Sequence, residues 1–398
     1  MSDTRKTTKP NVPNLRFPGF EGEWDKLKVR DFTRVVAGAT PATDKKEYWG
    51  GVIRWMNSGE LNLKRVYEVQ GRITQLGYDK TSTKIIPPHS VLIGLAGQGK
   101  TRGTAAMNYV ELCTNQSIAS ILPSDSFYSE FLYQNVESRY KELRDISSGD
   151  GGRGGLNLQM IYNLYIPHCS MQEQKKIGDF LYLLDQRIAI QNKVIEDLKK
   201  LKTALEERML GQCQGKHVRL RDILIERVEK SRINNQYEVL SSTVSGIYSQ
   251  REYFNKEIAS ADNTGYKAIH RGDVVLSPQN LWMGNINYND RFEIGIVSPS
   301  YKVFSIDEKF DKGYIAFLLK TRKALWAYSL VSEQGASIVR RNLNYESFLE
   351  ISFVIPSLKE QQATAKRLSA FQQKYTMEEA FLRSLLLQKE FMLKSLFI

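Results

Sequence analysis

The segment Ser170-Met-Gln-Glu-Gln174 opens a stretch that runs to about Gly211 and has the pattern of one long helix. Its apolar residues recur at alternating gaps of three and four, which is typical of a helix that packs lengthwise against another helix. Ser170 and Glu173 have the spacing of a capping box, so the helix is expected to begin directly after Ser170. The residues predicted to form the apolar seam are Ile177, Leu181, Leu184, Ile188, Ile195, Leu198, Leu205 and Met209.

A second copy of this stretch lies at the end of the chain. Ser357, Glu360 and Gln361 repeat the opening of the first helix at an offset of 187 residues (357 − 170 = 187). The second seam consists of Leu368, Phe371, Tyr375, Leu382, Leu385, Met392 and Leu396. A period of this length indicates a duplicated domain rather than a solenoid repeat. The sequence therefore predicts one unit, a globular segment followed by a long helix, used twice.

Polar residues interrupt the two seams at matching positions. Gln191 corresponds to Glu378, and Lys202 corresponds to Lys389. They are expected either to fix the register of the paired helices or to face a partner or solvent, and both interpretations stay open. Apolar residues beside the seams make each helix more apolar than a two-helix contact needs, and they could contact a partner or the globular domains. These flanking residues are Phe180, Leu183, Val194, Leu201, Leu386 and Leu393.

The predicted fold is α+β, with two tandem-duplicated mixed α/β domains and two long helices. Residues 1–23 are rich in Pro and Gly and are expected to form a flexible or extended arm. Residues 24–169 form the first domain, 170–214 the central long helix, 215–356 the second domain and 357–398 the C-terminal long helix.

The charge balance favours a polyanionic partner. The chain has 56 Lys and Arg against 44 Asp and Glu, a net charge of +12. Nucleic acid is a more natural partner for this balance than a membrane, although the charge could also serve solubility alone. The three cysteines, Cys113, Cys169 and Cys213, have no Cys-x-x-Cys spacing, so neither a disulfide framework nor a zinc site is expected. With no run of 18 apolar residues and no apolar leader, a cytoplasmic protein is expected.

Each globular half is predicted to contain a buried strand that leads into a polar loop with glycine. The strands contain Val91 and Val274, and the loops cover residues 97–103 and 278–287. Each half then closes with a Leu-Asn pair, a strand that ends in Ile-Pro, and the Glu-Gln pair of the long helix. These anchors are Leu156-Asn157, Ile166-Pro167 and Glu173-Gln174 in the first half, and Leu343-Asn344, Ile355-Pro356 and Glu360-Gln361 in the second.

One loop matches the letters of a phosphate-binding P-loop, Gly94-Leu-Ala-Gly-Gln-Gly99-Lys100-Thr101. A P-loop needs a helix to open at the lysine, so that backbone amides and the helix N-terminus hold the phosphates. Here Arg102, Gly103 and Thr104 follow, which is a poor first turn. A glycine hairpin loop is the favoured interpretation, and a nucleotide-binding enzyme that uses this loop is the alternative. A glycine-rich loop can also approach DNA closely.

The positive functional signal is a set of basic, amide and aromatic residues in equivalent loops of both halves. Arg, Asn and Gln can make bidentate contacts with guanine or adenine edges. Each residue taken alone could equally be a solvated surface residue, and the two tryptophans could belong to the core. The candidates for DNA contact are Trp55, Asn57, Ser58, Gln98, Lys100, Arg102 and Arg153 in the first half, and Tyr248, Arg251, Gln279, Asn280, Trp282, Arg340 and Arg341 in the second.

No catalytic set or metal-ligand spacing emerges from the remaining residues. The chain also lacks the Asn/Asp-Pro-Pro-Tyr/Phe motif of amino-methylation. We therefore expect a non-catalytic chain whose chemistry is done by partners.

The duplicated Leu-Asn, Ile-Pro and Glu-Gln anchors, each followed by a long helix, resemble the specificity subunit of bacterial Type I restriction-modification systems. The opening Leu15-Arg-Phe-Pro-Gly-Phe-Glu-Gly-Glu-Trp24 is also similar to many such subunits. The resemblance covers essentially the whole chain. It implies two target-recognition domains held apart by two antiparallel coiled-coil helices, each domain reading one half of a split double-stranded DNA site.

The resemblance also implies partners and their cofactors. Two methyltransferase subunits would methylate adenine with S-adenosylmethionine, and two restriction subunits would cleave with ATP and magnesium. No base-reading residue can be transferred from the family, because those residues vary among its members.

The length of the two long helices is expected to set the distance between the two DNA half-sites. About 37 helical residues at 1.5 Å each give roughly 55 Å. At 3.4 Å per base pair, this length spans about 16 base pairs, an upper bound on the distance between half-sites. A bipartite target with an unread spacer is therefore expected, and the spacer should follow helix length.

Overall fold

A computed structural model describes residues 11–97, 101–147, 154–254, 262–334 and 341–398. The chain divides into two compact units. The first unit comprises Met1–Asn192 and Ala380–Ile398, and the second comprises Lys193–Glu379. Each long helix therefore contributes one part of its length to each unit.

Within its described residues, the first globular domain contains ten short strands and five short α-helices before the central helix. Its strands are β1 Asp25–Lys28, β2 Val35–Ala37, β3 Trp49–Met56, β4 Arg65–Val66, β5 Arg72–Ile73, β6 Val91–Gly94, β7 Ala105–Asn108, β8 Cys113–Thr114, β9 Ile118–Ile121 and β10 Tyr165–His168 within the described residues. Its helices are α1 Val29–Phe32, α2 Gln75–Asp79, α3 Ser129–Ser138, α4 Tyr140–Ile146 and α5 Leu158–Tyr162, and the central helix is α6 Met171–Gly211.

The second globular domain repeats this plan with its own set of elements. Its strands are β11 Lys216–Arg219, β12 Leu224–Glu226, β13 Leu240–Thr243, β14 Gly246–Ser249, β15 Lys267–His270, β16 Val274–Leu276, β17 Ile286–Tyr288, β18 Ile294–Val297, β19 Lys302–Ile306, β20 Ser332–Gln334, β21 Arg341–Leu343 and β22 Ser352–Ile355. Its helices are α7 Leu220–Ile223, α8 Gln250–Phe254, α9 Lys312–Leu318, α10 Arg322–Leu330 and α11 Tyr345–Glu350, and the C-terminal helix is α12 Leu358–Leu396.

The central sheets of the two domains share one topology, which confirms the predicted duplication. The first sheet has the order β2-β9-β6-β7-β4 and the second has the order β12-β19-β16-β17. In both, the predicted buried strand lies in the interior of the sheet and pairs antiparallel with the strand that follows its loop. Val91, Leu92 and Ile93 are fully buried, as are Val274 and Val275. Strand β4, which pairs parallel with β7, is found only in the first of these sheets among the described residues.

The anchors at the end of each domain have defined structural roles. Asn157 and Asn344 are N-caps, and their side-chain oxygens accept hydrogen bonds from Met160 N and Ser347 N at 2.9 and 3.0 Å. Each domain closes on its own beginning through the strand at its Ile-Pro anchor. Strand β10, which contains Ile166 and Pro167, pairs antiparallel with β1, and strand β22, which ends at Ile355, pairs antiparallel with β11. The chain therefore enters and leaves each domain at one place, next to the long helix.

The two long helices have 41 and 39 residues, and the predicted fold class is confirmed. In the first unit, the guanidinium of Arg187 on α6 lies 5.1 Å from the ring centroid of Phe381 on α12. In the second unit, Lys202 Nζ lies 5.9 Å from the ring centroid of Tyr375. The beginning of each helix thus packs with the end of the other, so the two run antiparallel within each unit.

The seam residues are most deeply buried near the globular domains. Ile177, Leu181 and Leu184 on α6, and Leu368, Leu385 and Leu396 on α12, are at most 7% exposed. The other predicted seam positions are half-buried, namely Ile188, Ile195, Leu198, Leu205, Met209, Phe371, Tyr375, Leu382 and Met392.

The two capping sequences are used differently because the N-terminal arm covers only the first. Ser170 Oγ accepts a hydrogen bond from Glu173 N at 3.3 Å, while the Glu173 carboxylate receives two hydrogen bonds from Arg16, at 2.7 and 2.8 Å. In the second copy, Glu360 is exposed, and its carboxylate accepts from the amide and hydroxyl of Ser357 at 3.1 and 2.7 Å. Residues 11–23 have no regular secondary structure, but Arg16 ties them to α6.

Candidate nucleic-acid interface

The loop between β16 and β17 brings together four of the candidates in the second half. The loop is closed by Ser277 N donating to Asn285 O at 3.0 Å. Arg341 N donates to Gln279 O at 3.1 Å, and the Arg341 guanidinium lies 4.2 Å from the ring centroid of Trp282. Gln279, Asn280, Trp282 and Arg341, which we call the β16 loop cluster, therefore form one surface although 62 residues separate their ends (341 − 279 = 62).

Two polar atoms of the β16 loop cluster are buried without a partner among the described residues. They are Asn280 Oδ1 and Arg341 Nε. An unsatisfied buried polar atom is costly, and such atoms are uncommon in folded proteins unless a ligand or water completes them. Amide and guanidinium groups are also the side chains that read adenine and guanine edges. The cluster therefore has the side-chain chemistry of a base-reading surface, with Gln279 exposed and Asn280 and Arg341 half-exposed.

The equivalent loop of the first half packs in the same way. The connection between β6 and β7 is held by Gly103 N donating to Gly94 O at 2.8 Å. Arg102 donates through Nη1 to Gly154 O, and Leu156 N donates to Leu95 O at 2.9 Å. In both halves the loop that follows the buried strand thus contacts the segment that precedes the Leu-Asn anchor. Gln98, Lys100, Arg153 and Arg340 lie outside the described residues.

The geometry around the Gly94 loop argues against a P-loop. Strand β6 pairs antiparallel with β7, with Ile93 opposite Ala105, so the connection is a hairpin. Thr101, Arg102 and Gly103 form a turn that enters strand β7 rather than a helix. The described residues that follow this loop, from Thr101 onward, therefore offer no helix N-terminus that could hold a phosphate.

Two of the DNA-contact candidates, Trp55 on β3 and Asn57 just after it, make contacts that support the fold. Trp55 is only 9% exposed, its Nε1 donates to Ala39 O at 3.0 Å, and its ring packs edge-on against Trp49. The Asn57 side chain caps the short 3-10 helix Ser58–Leu63, accepting from Gly59 N at 2.8 Å. Trp55 therefore belongs to a small core, which is the alternative that its sequence context left open. Ser58 is half-exposed beside this cap.

The other second-half candidates lie next to the base of the β16 loop. Tyr248 lies near the end of strand β14, and its ring centroid is 5.4 Å from that of Tyr253. Arg251 is exposed near the start of α8. The hairpin of β13 and β14 is tied to the β16 loop because Ser242 Oγ donates to Asn285 Oδ1 at 2.6 Å. This contact places Tyr248 and Arg251 on an element that is braced against the loop.

A row of buried polar residues lies under the loop and was not among the site residues predicted from the sequence. Asn285, Asn287 and Asn289 are 4%, 5% and 1% exposed, and Asn287 Nδ2 donates to Ser242 Oγ at 2.7 Å. Their alternation around the apolar Ile286 is the period-2 signal of a strand. Polar residues on a buried strand face indicate a hydrogen-bonded support, and this pattern could have identified it.

Gly284 fixes the return of the loop, and an alanine there is expected to destabilise the second unit. Its φ of +92° is in the left-handed region, and an added Cβ would lie 3.0 Å from Leu325 Cδ2. Its carbonyl also accepts from Lys320 Nζ at 2.8 Å. We expect Gly284→Ala to lower the free energy of unfolding by about 1–3 kcal/mol in urea denaturation.

The matched control for Gly284 is Gly211→Ala at the end of α6. A Cβ at Gly211 would meet nothing within 4 Å, so this change should be neutral or slightly stabilising. Equal unfolding midpoints for Gly284→Ala and the unmodified chain would contradict the role assigned to Gly284.

The comparisons with known proteins agree with the duplicated architecture. The sequence model of the family described as Type I restriction modification DNA specificity domain matches residues 21–200 and, a second time, residues 217–386. The chain belongs to this family. The two matches include both β-sheet domains and most of both long helices.

Curated relatives include two specificity subunits of Type I restriction enzymes. The MjaIX subunit of Methanocaldococcus jannaschii is 33% identical over 184 residues, which is 45% of this chain and 42% of that protein. The HindI subunit of Haemophilus influenzae is 25% identical over 208 residues, which is 52% of this chain and 40% of that protein. The matched segments therefore span less than half the length of these relatives.

Solved structures share the fold across nearly the whole chain. A Type I restriction-modification S subunit from M. genitalium covers 97% of this chain and 99% of its own, with a TM-score of 0.61 and 16% identity. A chain from a study of complex assembly and conformational transition of the Type I R-M system covers the same shares, with a TM-score of 0.55 and 12% identity. At these identities the likeness concerns the fold.

The described residues contain no group of three or more His, Cys, Asp and Glu residues placed to hold a metal ion. No helix among them has the length and apolar character needed to cross a membrane.

Proposed function

We propose that this chain is the DNA sequence-recognition subunit of a Type I restriction-modification complex. Each target-recognition domain reads one half of a bipartite target in double-stranded DNA, and the long helices set the spacing. The observation that carries the proposal is the β16 loop cluster, where Gln279, Asn280 and Arg341 present base-reading groups beside a strand-to-strand loop that recurs in the first domain. The net charge of +12 supports a polyanionic partner.

The chemistry is proposed to reside on other subunits. Two methyltransferase subunits carry S-adenosylmethionine and methylate adenine at N6, and two restriction subunits use ATP and magnesium for cleavage. Apolar side chains on the long helices support partner docking, because Leu183, Val194, Leu201 and Leu386 are between 37% and 65% exposed. Where such side chains join into a contiguous apolar patch, the patch marks a protein contact surface.

Changing the β16 loop cluster should alter the reading of one half-site only. We expect Arg341→Ala, in complex with the methyltransferase subunits, to reduce adenine methylation of the target by about 10-fold or more and to relax the sequence preference in one half. Genome-wide mapping of methylated adenines in strains with the unmodified chain, with the variant and with no copy measures both effects.

The matched control is Arg221→Ala, another partly exposed arginine of the second unit, which pairs with Glu350 at the entry to the domain. It should leave the methylated sequence unchanged. A variant methylome identical to that of the unmodified chain would contradict base reading by Arg341. Loss of preference in both halves at once would contradict the assignment of one half-site to each domain.

The nucleotide-binding alternative has its own test. Binding of a nucleoside triphosphate by the purified chain, abolished by Lys100→Ala, would favour that alternative. The proposed function predicts no such binding, and it predicts sequence-selective DNA binding that weakens steeply with salt when methyltransferase subunits are present.

A further inference from the structure

We infer that Gln174 and Gln361 orient the two recognition domains on their long helices, and that they thereby determine how strictly the spacer length is read. This inference rests on the proposed function. Both residues lie in the first turn of a long helix and both are buried, at 0% and 2% exposure. We call each glutamine with its contacts a domain clamp.

The clamp of the first unit joins three segments through one side chain. Gln174 Oε1 accepts a hydrogen bond from Tyr128 N, the N-cap of α3, at 2.9 Å. Gln174 Nε2 donates to Cys169 O at 2.9 Å and to Ser126 O at 3.1 Å. The amide group thus connects the start of α6 with the end of the closing strand and with the start of the helix that covers the sheet.

The clamp of the second unit has the same geometry. Gln361 Oε1 accepts from Asp311 N, the N-cap of α9, at 2.9 Å, and Gln361 Nε2 donates to Pro356 O at 2.9 Å. Cys169 and Pro356 precede their glutamines by five residues each, and Tyr128 and Asp311 cap equivalent helices. The same two contacts therefore recur in domains whose loops have diverged.

The chemistry of the site requires a glutamine. The side chain must accept on one side and donate on the other, and it must do so without charge, because it is surrounded by backbone groups away from water. A carboxylate could accept from Tyr128 N or Asp311 N, but it would place a second oxygen against a carbonyl oxygen. An apolar side chain of the same length would remove the partner of one backbone amide in each clamp, of two carbonyls in the first clamp and of one carbonyl in the second.

The two clamps differ in the support around them. In the first unit, the Tyr128 hydroxyl also donates to Asp179 on α6 at 2.7 Å. The position equivalent to Asp179 in the second copy is Lys366 (179 + 187 = 366), which cannot accept this hydrogen bond. The second unit therefore depends more on its glutamine, and substitution of Gln361 should have the larger effect.

A loosened clamp lets the recognition domain tilt on its helix, so that two half-sites at the wrong distance can both be reached. The test compares methylation of a target with its natural spacer and of targets whose spacer is one base pair shorter or longer, using complexes assembled with methyltransferase subunits. For Gln361→Met we expect the preference for the natural spacer to fall by about fivefold or more, since a misplacement of about 1 Å can change a rate by more than this. The half-site sequences should remain the same, and Gln174→Met should have a smaller effect.

Asn344→Ala and Asn157→Ala serve as matched controls, one in each domain. Each removes a side-chain cap from a helix of the same domain without touching the long helix. These variants should keep the spacer preference of the unmodified complex, although they lose stability. If Asn344→Ala and Gln361→Met relax the spacer preference equally, the effect is general destabilisation and the inference is wrong.

Gln361→Glu keeps the test decisive if the methionine variant does not fold. Burial and the facing carbonyl should raise the pKa of the new carboxyl, and its protonated form can accept and donate as glutamine does. The melting temperature of Gln361→Glu should therefore approach that of the unmodified chain as pH falls from 8 to 5. A deficit in melting temperature that does not change with pH would contradict the clamp geometry.

Amide hydrogen exchange of the full chain separates this inference from the proposed function. Exchange at Asp311 should become faster in Gln361→Met, and exchange at Tyr128 should become faster in Gln174→Met. If the unmodified complex methylates no bipartite target, the proposed function fails, and these exchange rates still decide whether the clamps exist. If bipartite methylation occurs and the variants keep both the spacer preference and the exchange rates, the clamp inference fails alone.

Discussion

Replacing Lys389 with methionine is expected to lower the free energy of unfolding of the first unit by about 3 kcal/mol. Lys389 Nζ lies 2.8 Å from Glu137 Oε2 and 2.6 Å from Asp185 Oδ1, and all three side chains are 15–16% exposed. Removing one member of a buried charge network leaves its partners without compensation. The loss of stability should be at the low end of the range of about 3–5 kcal/mol that is typical of a broken buried ion pair. The reason is that Arg65 still pairs with Asp185 at 2.7 Å.

The second copy provides the matched control, because Lys202 is the equivalent of Lys389. Lys202 is 31% exposed and lies 3.7 Å from Glu206 on its own helix. Lys202→Met should therefore cost less than about 1 kcal/mol. Urea denaturation followed by circular dichroism, with hydrogen exchange to locate the effect, measures both variants. Equal losses would contradict the assignment of a specific network to Lys389.

The pH dependence of the Lys389 network follows from its surroundings. Burial by itself lowers the pKa of Lys389, but the carboxylates of Glu137 and Asp185 outweigh it and raise this pKa above the ordinary lysine value. A raised pKa in the folded state stabilises the protein below the unfolded pKa of about 10.5, and this stabilisation is lost as pH rises through the folded value. The stability difference between Lys389→Met and the unmodified chain should thus be constant from pH 7 to 9 and should shrink in more alkaline solution.

The long helices and the duplication could be predicted because both are local patterns. The seam of α6 has the helical period, and the copy at an offset of 187 residues needs no knowledge of three-dimensional contacts. The Leu-Asn and Glu-Gln anchors could be recognised by the same offset, but their roles could not. The hydrogen bond from Tyr128 N to Gln174 joins residues 46 apart in the chain, and no sequence pattern marks such a pair.

The equivalent lysines of the two long helices have different surroundings, although the repeat of the sequence places them at the same position. Lys202 and Lys389 occupy equivalent places in the two seams, which suggested one shared role. Their partners differ because Asp185 is replaced by Gln372 at the equivalent position (185 + 187 = 372). A comparison of the residues around the two lysines, rather than of the lysines alone, contains the signal that separates them.

The candidate site was predictable at the level of loops and less so at the level of residues. The polar loops after the buried strands could be predicted, because an apolar strand and a polar turn with glycine have clear local signatures. The second loop ends at Asn285 rather than at the predicted residue 287, because strand β17 begins at Ile286. Residues 98–100 of the first loop lie outside the described residues. The contact of Arg341 with Gln279 and Trp282 depends on how strand β21 returns to the loop, which is a tertiary contact. The burial of Trp55 also depends on a tertiary contact, since its Nε1 donates to Ala39 O, 16 residues away in the chain.

Lengthening both long helices by one heptad is expected to lengthen the spacer of the DNA target. The insertions are placed after Asn192 in α6 and after Glu379 in α12, which are equivalent positions (192 + 187 = 379). Seven helical residues add about 10 Å, or about three base pairs of DNA. A heptad keeps the apolar seam facing its partner helix, so the pairing of the helices should survive. We expect methylation of the natural target to fall by about 100-fold, because positioning errors far smaller than 10 Å already have effects of this size.

The rotation of DNA sharpens this expectation. Three added base pairs turn the far half-site by about 100° around the DNA axis, since one turn takes about 10.5 base pairs. The inserted heptad turns the helix seam by about 20° at most. A longer spacer therefore cannot match both the new distance and the new rotation between the two recognition domains. The best new target should have a spacer two to three base pairs longer, and it should be methylated more weakly than the natural target is by the unmodified complex.

Seven residues inserted in the exposed loop at Lys309 provide the control, because they lengthen the chain without lengthening either helix. If the chain with both insertions still methylates targets with the original spacer, the long helices do not set the spacer length.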